Sequence, residues 1–211
     1  MKNSYPREIH KHFAVIHPIG KFILCILLIT MFSGMAAEPE KSGKDPVEKL
    51  DLAIPYKPDP PVSMDGILNE WAKVPVHQLN RQEQVIYGKD KWGSTDDLSA
   101  KVWLAWREEC LYIAAEVRDE VHCQTDRGRD LYKGDHVELY LDVTPDVDPA
   151  RDPFGEGQWI IAFNPGNFQH TADPLQDIKA EAWIYHPTGK SATKIMVVAQ
   201  RTETGYAIEA S

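Results

Sequence analysis

The chain carries 32 Asp and Glu side chains, eight His and three Cys, so spacing decides what chemistry they can do. Glu138 and Asp142 sit four residues apart in an alternating segment that reads as a strand. At ~3.3 Å per residue this sets them ~13 Å apart, beyond the ~5–9.5 Å at which carboxylate pairs cleave glycosides. No serine or cysteine has a Gly-x-Ser-x-Gly setting. The run Asp142, Asp146, Asp148, Asp152 lacks the glycine and closing glutamate of an EF-hand loop, and its interleaved prolines read as an exposed turn. His77, His122, His136, His170 and His186 show no zinc spacing. Cys110 and Cys123 flank the apolar run Leu111 to Val117. As a strand it would hold them more than ~20 Å apart, against the ~7 Å a disulfide allows, so two unpaired thiols are expected. The visible domain therefore reads as non-catalytic, although it can belong to an enzyme whose catalytic part lies elsewhere.

Residues 1–37 read as an address. Lys2, Arg7, Lys11 and Lys21 precede the unbroken apolar run Phe22 to Phe32, and Ser33-Gly34-Met35-Ala36-Ala37 follows. That order is the pattern of a secretory signal peptide, with an uncleaved N-terminal anchor or a start codon placed upstream of the true one as the other readings; about 11 apolar residues fall short of the ~20 of a membrane span. The expectation is a secreted or periplasmic protein of bacterial type with no membrane attachment after cleavage. Removing the leader's four bases and one acid takes the net charge from −9 to −12, which disfavours nucleic acid and anionic membrane surfaces as partners. Residues 38–61 read as a flexible linker: polar at first, then Pro55, Pro58, Pro60 and Pro61, which favour extended solvated backbone.

From residue 62 to 211 the dominant period is two. Ala100 to Trp106 and Leu111 to Val117 form a hairpin pattern. His136 to Val143 alternates, with Val137, Leu139 and Leu141 on one face and His136, Glu138, Tyr140 and Asp142 on the other. Trp159 to Phe163, Ala180 to Tyr185, Ile195 to Gln200 and Tyr206 to Glu209 continue the series between Gly and Pro turns. No segment keeps helical apolar spacing over three turns. The fold class is all-β: an antiparallel, jelly-roll-like β-sandwich. Trp71 is expected in the core, and at least one of Trp103 and Trp106, which have opposite parity. The chain stops within a strand pattern, so terminal strands are expected to be missing and an edge exposed.

Five motifs follow in order: Asp65-Gly66-Ile67-Leu68-Asn69-Glu70-Trp71; Asp97-Leu98-Ser99-Ala100 with Leu104-Ala105-Trp106; Leu111 to Asp119; Gly134-Asp135-His136-Val137-Glu138-Leu139-Tyr140-Leu141-Asp142; and Gly205-Tyr206-Ala207-Ile208-Glu209-Ala210. Their order and spacing resemble the family 9 carbohydrate-binding modules, β-sandwiches of secreted bacterial polysaccharide-degrading proteins. The resemblance implies a domain that binds polysaccharide or oligosaccharide beside a glycoside hydrolase.

A sugar site needs an exposed ring to stack on and polar groups for the hydroxyl rim. The family's aromatic before the Gly-Asp motif falls on Tyr132, and its acidic contact falls on Glu138. A second aromatic normally comes from a segment beyond Ser211. The family's arginine on the next strand is replaced by Ile160, which leaves Gln158 and Trp159 as substitute candidates. Some members bind calcium, for which Asp119 and Asp135 are the weak candidates, with turn capping as the plainer reading. Two other functions compete: a haem-binding periplasmic electron carrier, with His136 and Met196 as axial candidates, and a cell-surface adhesion domain without a small ligand.

Overall fold

The computed structural model describes residues 54–108, 110–144, 155–170, 173 and 176–211 in full, and residues 11–19 and 22–30 as backbone. Eleven strands are placed among these residues. β1 (Lys11–Ile19), β2 (Phe22–Thr30), β4 (Val85–Tyr87), β7 (His136–Asp142), β8 (Gln158–Asn164) and β9 (Glu181–His186) make sheet A, in the order β4-β1-β2-β7-β8-β9. Sheet B holds β3 (Val76–Leu79), β5 (Leu98–Arg107), β6 (Cys110–Asp119), β10 (Val197–Arg201) and β11 (Gly205–Ala210), ordered β10-β11-β6-β5-β3. Neighbouring strands run antiparallel throughout. The protein is an all-β sandwich.

Alternation explains the packing. Even-numbered Leu98, Ala100, Val102 and Leu104 of β5 meet Ile113, Ala115 and Val117 of β6 and Tyr206, Ile208 and Ala210 of β11. Val137 and Leu139 of β7 and Phe163 of β8 close the same core from sheet A. Because the strand period is two, the other parity of each strand points away from this core. On sheet B the outward parity does not reach water everywhere. A 3₁₀ turn at Leu68–Lys73 lays Trp71 over Ala105 and Ala114, with Trp103 packed alongside. Trp71 is fully buried, as its apolar neighbours imply, and Trp103 joins this smaller cluster while Trp106 stays 45% exposed.

Of the expected linker, residues 54–61 are described, and the chain there is docked. Lys57 N–H donates to the Trp106 carbonyl at 2.8 Å, and Trp106 N–H donates to the Pro55 carbonyl at 3.1 Å. Tyr56 meets Trp106 edge to face. Lys57 is buried, and its ammonium is held by the Pro58 and Pro60 carbonyls at 2.8 and 2.6 Å. Prolines remove their own N–H donors but leave carbonyls for a neighbour to use.

The expected leader lies largely outside the fully described residues. Within it, β1 and β2 form a hairpin, and β2 pairs with β7 from Ile23↔Asp142 to Ile29↔His136. At the other end of the described residues, β11 is paired with β6 on one side and β10 on the other. Cys110 and Cys123 form no disulfide. Among the described residues no helix is long and apolar enough to cross a bilayer.

Candidate functional site

The outward face of sheet A is the one that gathers aromatic and acidic groups. Register places Glu138 of β7 opposite Ala162 of β8, and Ala162 opposite Trp183 of β9. Directly paired residues share a face, so Glu138 and Trp183 stand in one row with a small alanine between them. Two strand spacings put their backbones about 10 Å apart. Tyr140, two residues along β7, donates its hydroxyl to Glu138 Oε2 at 2.9 Å. His136 Nε2 lies 3.4 Å from Glu138 Oε1. Glu138 is thus a buried carboxylate with a polar partner at each oxygen, oriented rather than free.

Tyr132 is brought to this face by a second 3₁₀ turn, Gly128–Lys133, which packs on β8 and β9. Three contacts fasten the turn. Gly128 N–H donates to Glu181 Oε1 at 2.8 Å. Tyr185 of β9 donates its hydroxyl to the Arg129 carbonyl at 2.9 Å. Leu131 is fully buried beneath the turn. Gly128 has φ +55°, and a methyl group there would lie 3.5 Å from the Trp183 ring, so the turn passes directly over that indole. The Tyr132 ring meets Tyr185 edge to face at 6.3 Å between centroids, and the Lys133 ammonium lies 5.9 Å from its centre. Tyr132 and Trp183 are each 37% exposed. Burial raises the Tyr185 phenol pKa, a backbone hydrogen bond from Tyr132 opposes that, and the nearby Glu138 carboxylate reinforces it. Tyr185 therefore fastens the Tyr132 turn as a neutral donor, within electrostatic reach of Glu138.

The other two sugar-site candidates are placed differently. Gln158 shares the outward face but lies opposite Asp142, at the far end of β7 from His136. It donates to Asp142 Oδ2 at 3.0 Å and accepts from Gly155 N–H at 2.8 Å, so it braces the β7–β8 connection. Trp159 pairs with Leu141, which gives it the parity of the core face, away from Glu138. Sequence reasoning did not select Trp183 or Tyr185. Their alternation about the buried Ile184 was visible, but that they face Tyr132 follows only from the β8–β9 register.

Asp119 and Asp135 are both buried. Asp119 Oδ1 accepts Val121 N–H at 2.9 Å, and Asp135 Oδ2 accepts Cys123 N–H at 2.7 Å and faces His122 Nδ1 at 2.9 Å. Burial first, and then the Asp135 charge, push the Asp119 carboxyl up to about 7. Calcium takes six to eight oxygens from charged carboxylates and carbonyls. No three His, Cys, Asp or Glu among the described residues converge on a metal position. Asp119 caps its own turn, and Asp135 ties the Gly134-Asp135 motif to the chain at Cys123. The haem candidates are not brought together: His136 points outward from β7, with Nδ1 2.7 Å from the Gly134 carbonyl, while Met196 is exposed beside sheet B.

The first and last motifs meet on the opposite side of the molecule. Glu209, on the outward parity of β11, is fully buried. Its Oε1 accepts Trp71 Nε1–H at 2.7 Å, and its Oε2 accepts Gly66 N–H at 2.7 Å and Asp65 N–H at 3.1 Å. Gly66, at φ +79°, has no room for a Cβ, which would sit 2.7 Å from Gln200 Cγ. These motifs build the fold and do not touch the Tyr132 face.

A family model described as carbohydrate family 9 binding domain-like matches residues 65–211. The match takes in well over half of the 211 residues, and the chain belongs to that family. A similar solved structure is a carbohydrate binding module family 9 from Caldicellulosiruptor kristjanssonii in complex with cellotriose, 22% identical with a TM-score of 0.49. The likeness covers 74% of this chain and 64% of that one, so the chain spans less than two thirds of that structure's length. No curated protein matches significantly.

Proposed function

We propose that this is a non-catalytic carbohydrate-binding domain, exported through residues 1–37, that holds an oligosaccharide on the outward face of sheet A. In this reading Tyr132 stacks on the apolar face of a pyranose ring and Glu138 accepts hydrogen bonds from its hydroxyls. The domain works alongside polysaccharide-degrading enzymes. The observation that carries the reading is the Tyr132–Tyr185–Glu138 arrangement: an exposed ring fixed by a buttressed turn beside a buried, oriented carboxylate. Exposed aromatics with few convergent polar groups are what a sugar site requires, and the family membership points the same way.

The test is calorimetric titration of the full chain with cello-, xylo- and manno-oligosaccharides, repeated with Tyr132→Ala and Glu138→Gln. Binding of at least one series, weakened about tenfold by either substitution, supports the assignment. Equal binding by the wild type and both variants places the site elsewhere.

A further inference from the structure

The two sheets do not close on each other at every edge. β9 ends sheet A and β10 ends sheet B, and between them opens a cleft of about 980 Å³. Sites for small organic ligands run to about 300–1,000 Å³, so this one has room for more than one sugar ring. Its lining includes Arg129, Glu181, Trp183, Tyr185, Lys190 and Thr193. Trp183 and Tyr185 also belong to the face that carries Tyr132 and Glu138, so the cleft continues that face past β9.

The cleft carries two cations, the Arg129 guanidinium and the Lys190 ammonium, and neither makes an ion pair among the described residues. The carboxylate in the lining, Glu181, already accepts the Gly128 N–H. Both cations thus share one cleft lining with the 37% exposed Trp183 indole. Bulk repulsion of an anion is screened beyond about 8 Å at physiological ionic strength, so a ligand inside the cleft responds to Arg129 and Lys190 first. A planar guanidinium binds a carboxylate through paired N–H donors, and an indole face offers a platform for a sugar ring.

We propose that the cleft between β9 and β10 is a second glycan subsite, continuous with the Tyr132 face, in which Trp183 stacks a ring and Arg129 and Lys190 receive the carboxylate of a uronic acid residue. The inference rests on the carbohydrate-binding reading and names the ligand class it selects: acidic over neutral oligosaccharides.

The test uses chains matched in length that differ in one group. Cello- and manno-oligosaccharides are titrated against cellouronate and mannuronate, in which each C6 alcohol is a carboxylate. At low salt the uronates should bind about tenfold tighter than their neutral counterparts, with the preference shrinking as salt is added. In the Arg129→Gln/Lys190→Gln double variant the ratio of uronate to neutral affinity should fall toward one. Circular dichroism and the unfolding midpoint establish that the variant is folded, as expected for two exposed side chains. Neutral chains binding as tightly as uronates, or a uronate preference that survives in the double variant, would overturn this inference and leave the Tyr132 site standing. If neither kind of chain binds, both proposals fall.

Discussion

Glu209 and Trp71 lie 138 positions apart in the chain, yet a buried carboxylate oxygen and an indole nitrogen sit 2.7 Å from each other. With the Gly66 and Asp65 amides on its second oxygen, Glu209 ties the Asp65-Gly66 turn to β11. Burial raises its pKa, while its hydrogen bonds from Trp71, Gly66 and Asp65 favour the charged form. Three donors lose their acceptor in Glu209→Ala, and each orphaned buried donor costs about 1–3 kcal/mol. The expected loss is on the order of 3–5 kcal/mol in urea unfolding. Trp71→Phe, which keeps most of the apolar bulk and removes one donor, should cost less. A change below about 1 kcal/mol for Glu209→Ala would remove the clamp from the account of the fold.

Asp119 sets a pH dependence. Its pKa rises from 3.8 in the free side chain to about 7 in the fold. A raised folded-state value means that the stabilising contribution is complete below pH ~4 and is lost as pH climbs through about 7. Its full size is about 4 kcal/mol at 1.36 kcal/mol per unit. The groups facing it are Asp135 and Glu120, which raise the value, and His122, which lowers it. Asp119→Asn keeps the acceptor for Val121 N–H and cannot ionise. Unfolding free energies measured from pH 4 to 7.5 should therefore fall less steeply in the variant than in the wild type. Parallel profiles would show that Asp119 does not titrate in this range.

Gly128 is the hinge of the Tyr132 turn. An alanine there meets the Trp183 ring at ordinary contact distance but must hold φ +55°, which costs an L-residue roughly 1–2 kcal/mol. Gly128→Ala should lower stability by about that amount. Sugar affinity should fall with it, because the turn also carries Tyr132. Unchanged affinity with lowered stability would separate the turn from binding.

Tyr185→Phe removes the hydroxyl that holds the Arg129 carbonyl and keeps the ring that meets Tyr132. The prediction is a weaker sugar complex, several-fold rather than tenfold, with a stability loss of about 1 kcal/mol. Titration of the variant beside Tyr132→Ala checks the order: Tyr132→Ala should be the more severe.

Export is checked by mass. Material recovered outside the cytoplasm should begin near residue 38, since the small residues Ser33 to Ala37 close the apolar run, and it should therefore lack β1 and β2, leaving β7 without its β2 partner. Exported protein with Met1 intact would exclude cleavage there.

Much of the sandwich was legible because strands announce themselves by alternation. The seven patterns from Ala100 to Glu209 all became strands, β5 to β11, with ends displaced by a residue or two. β3 and β4 were not legible: Val76–Leu79 and Val85–Tyr87 are too short to show a period. Neither was the docking of 54–61, because proline-rich extended chain looks the same whether solvated or seated on a strand. The clamp escaped too, since Trp71 read simply as core and nothing local marks Glu209 as its partner. At the sugar face, Tyr132 and Glu138 could be named from motif position, and parity put Glu138 on the outward face. Trp183 and Tyr185 needed the pairing of β8 with β9, where the register shifts between Ile160 and Ile161. Trp159 and Gln158 illustrate the same limit in reverse. They are adjacent in sequence on opposite faces, and only one can share a surface with Glu138.

The position of β11 also bears on when the domain can close. A chain emerging from a ribosome presents its residues in order, and β11, which follows every other described strand, is an interior one in sheet B, between β6 and β10. Until it arrives, β6 has an open edge, the core lacks Tyr206 and Ile208, and the Asp65-Gly66 turn has no carboxylate to close on. Vectorial synthesis therefore leaves the β6 edge and the Asp65-Gly66 turn open until residues 205–210 become free to pair.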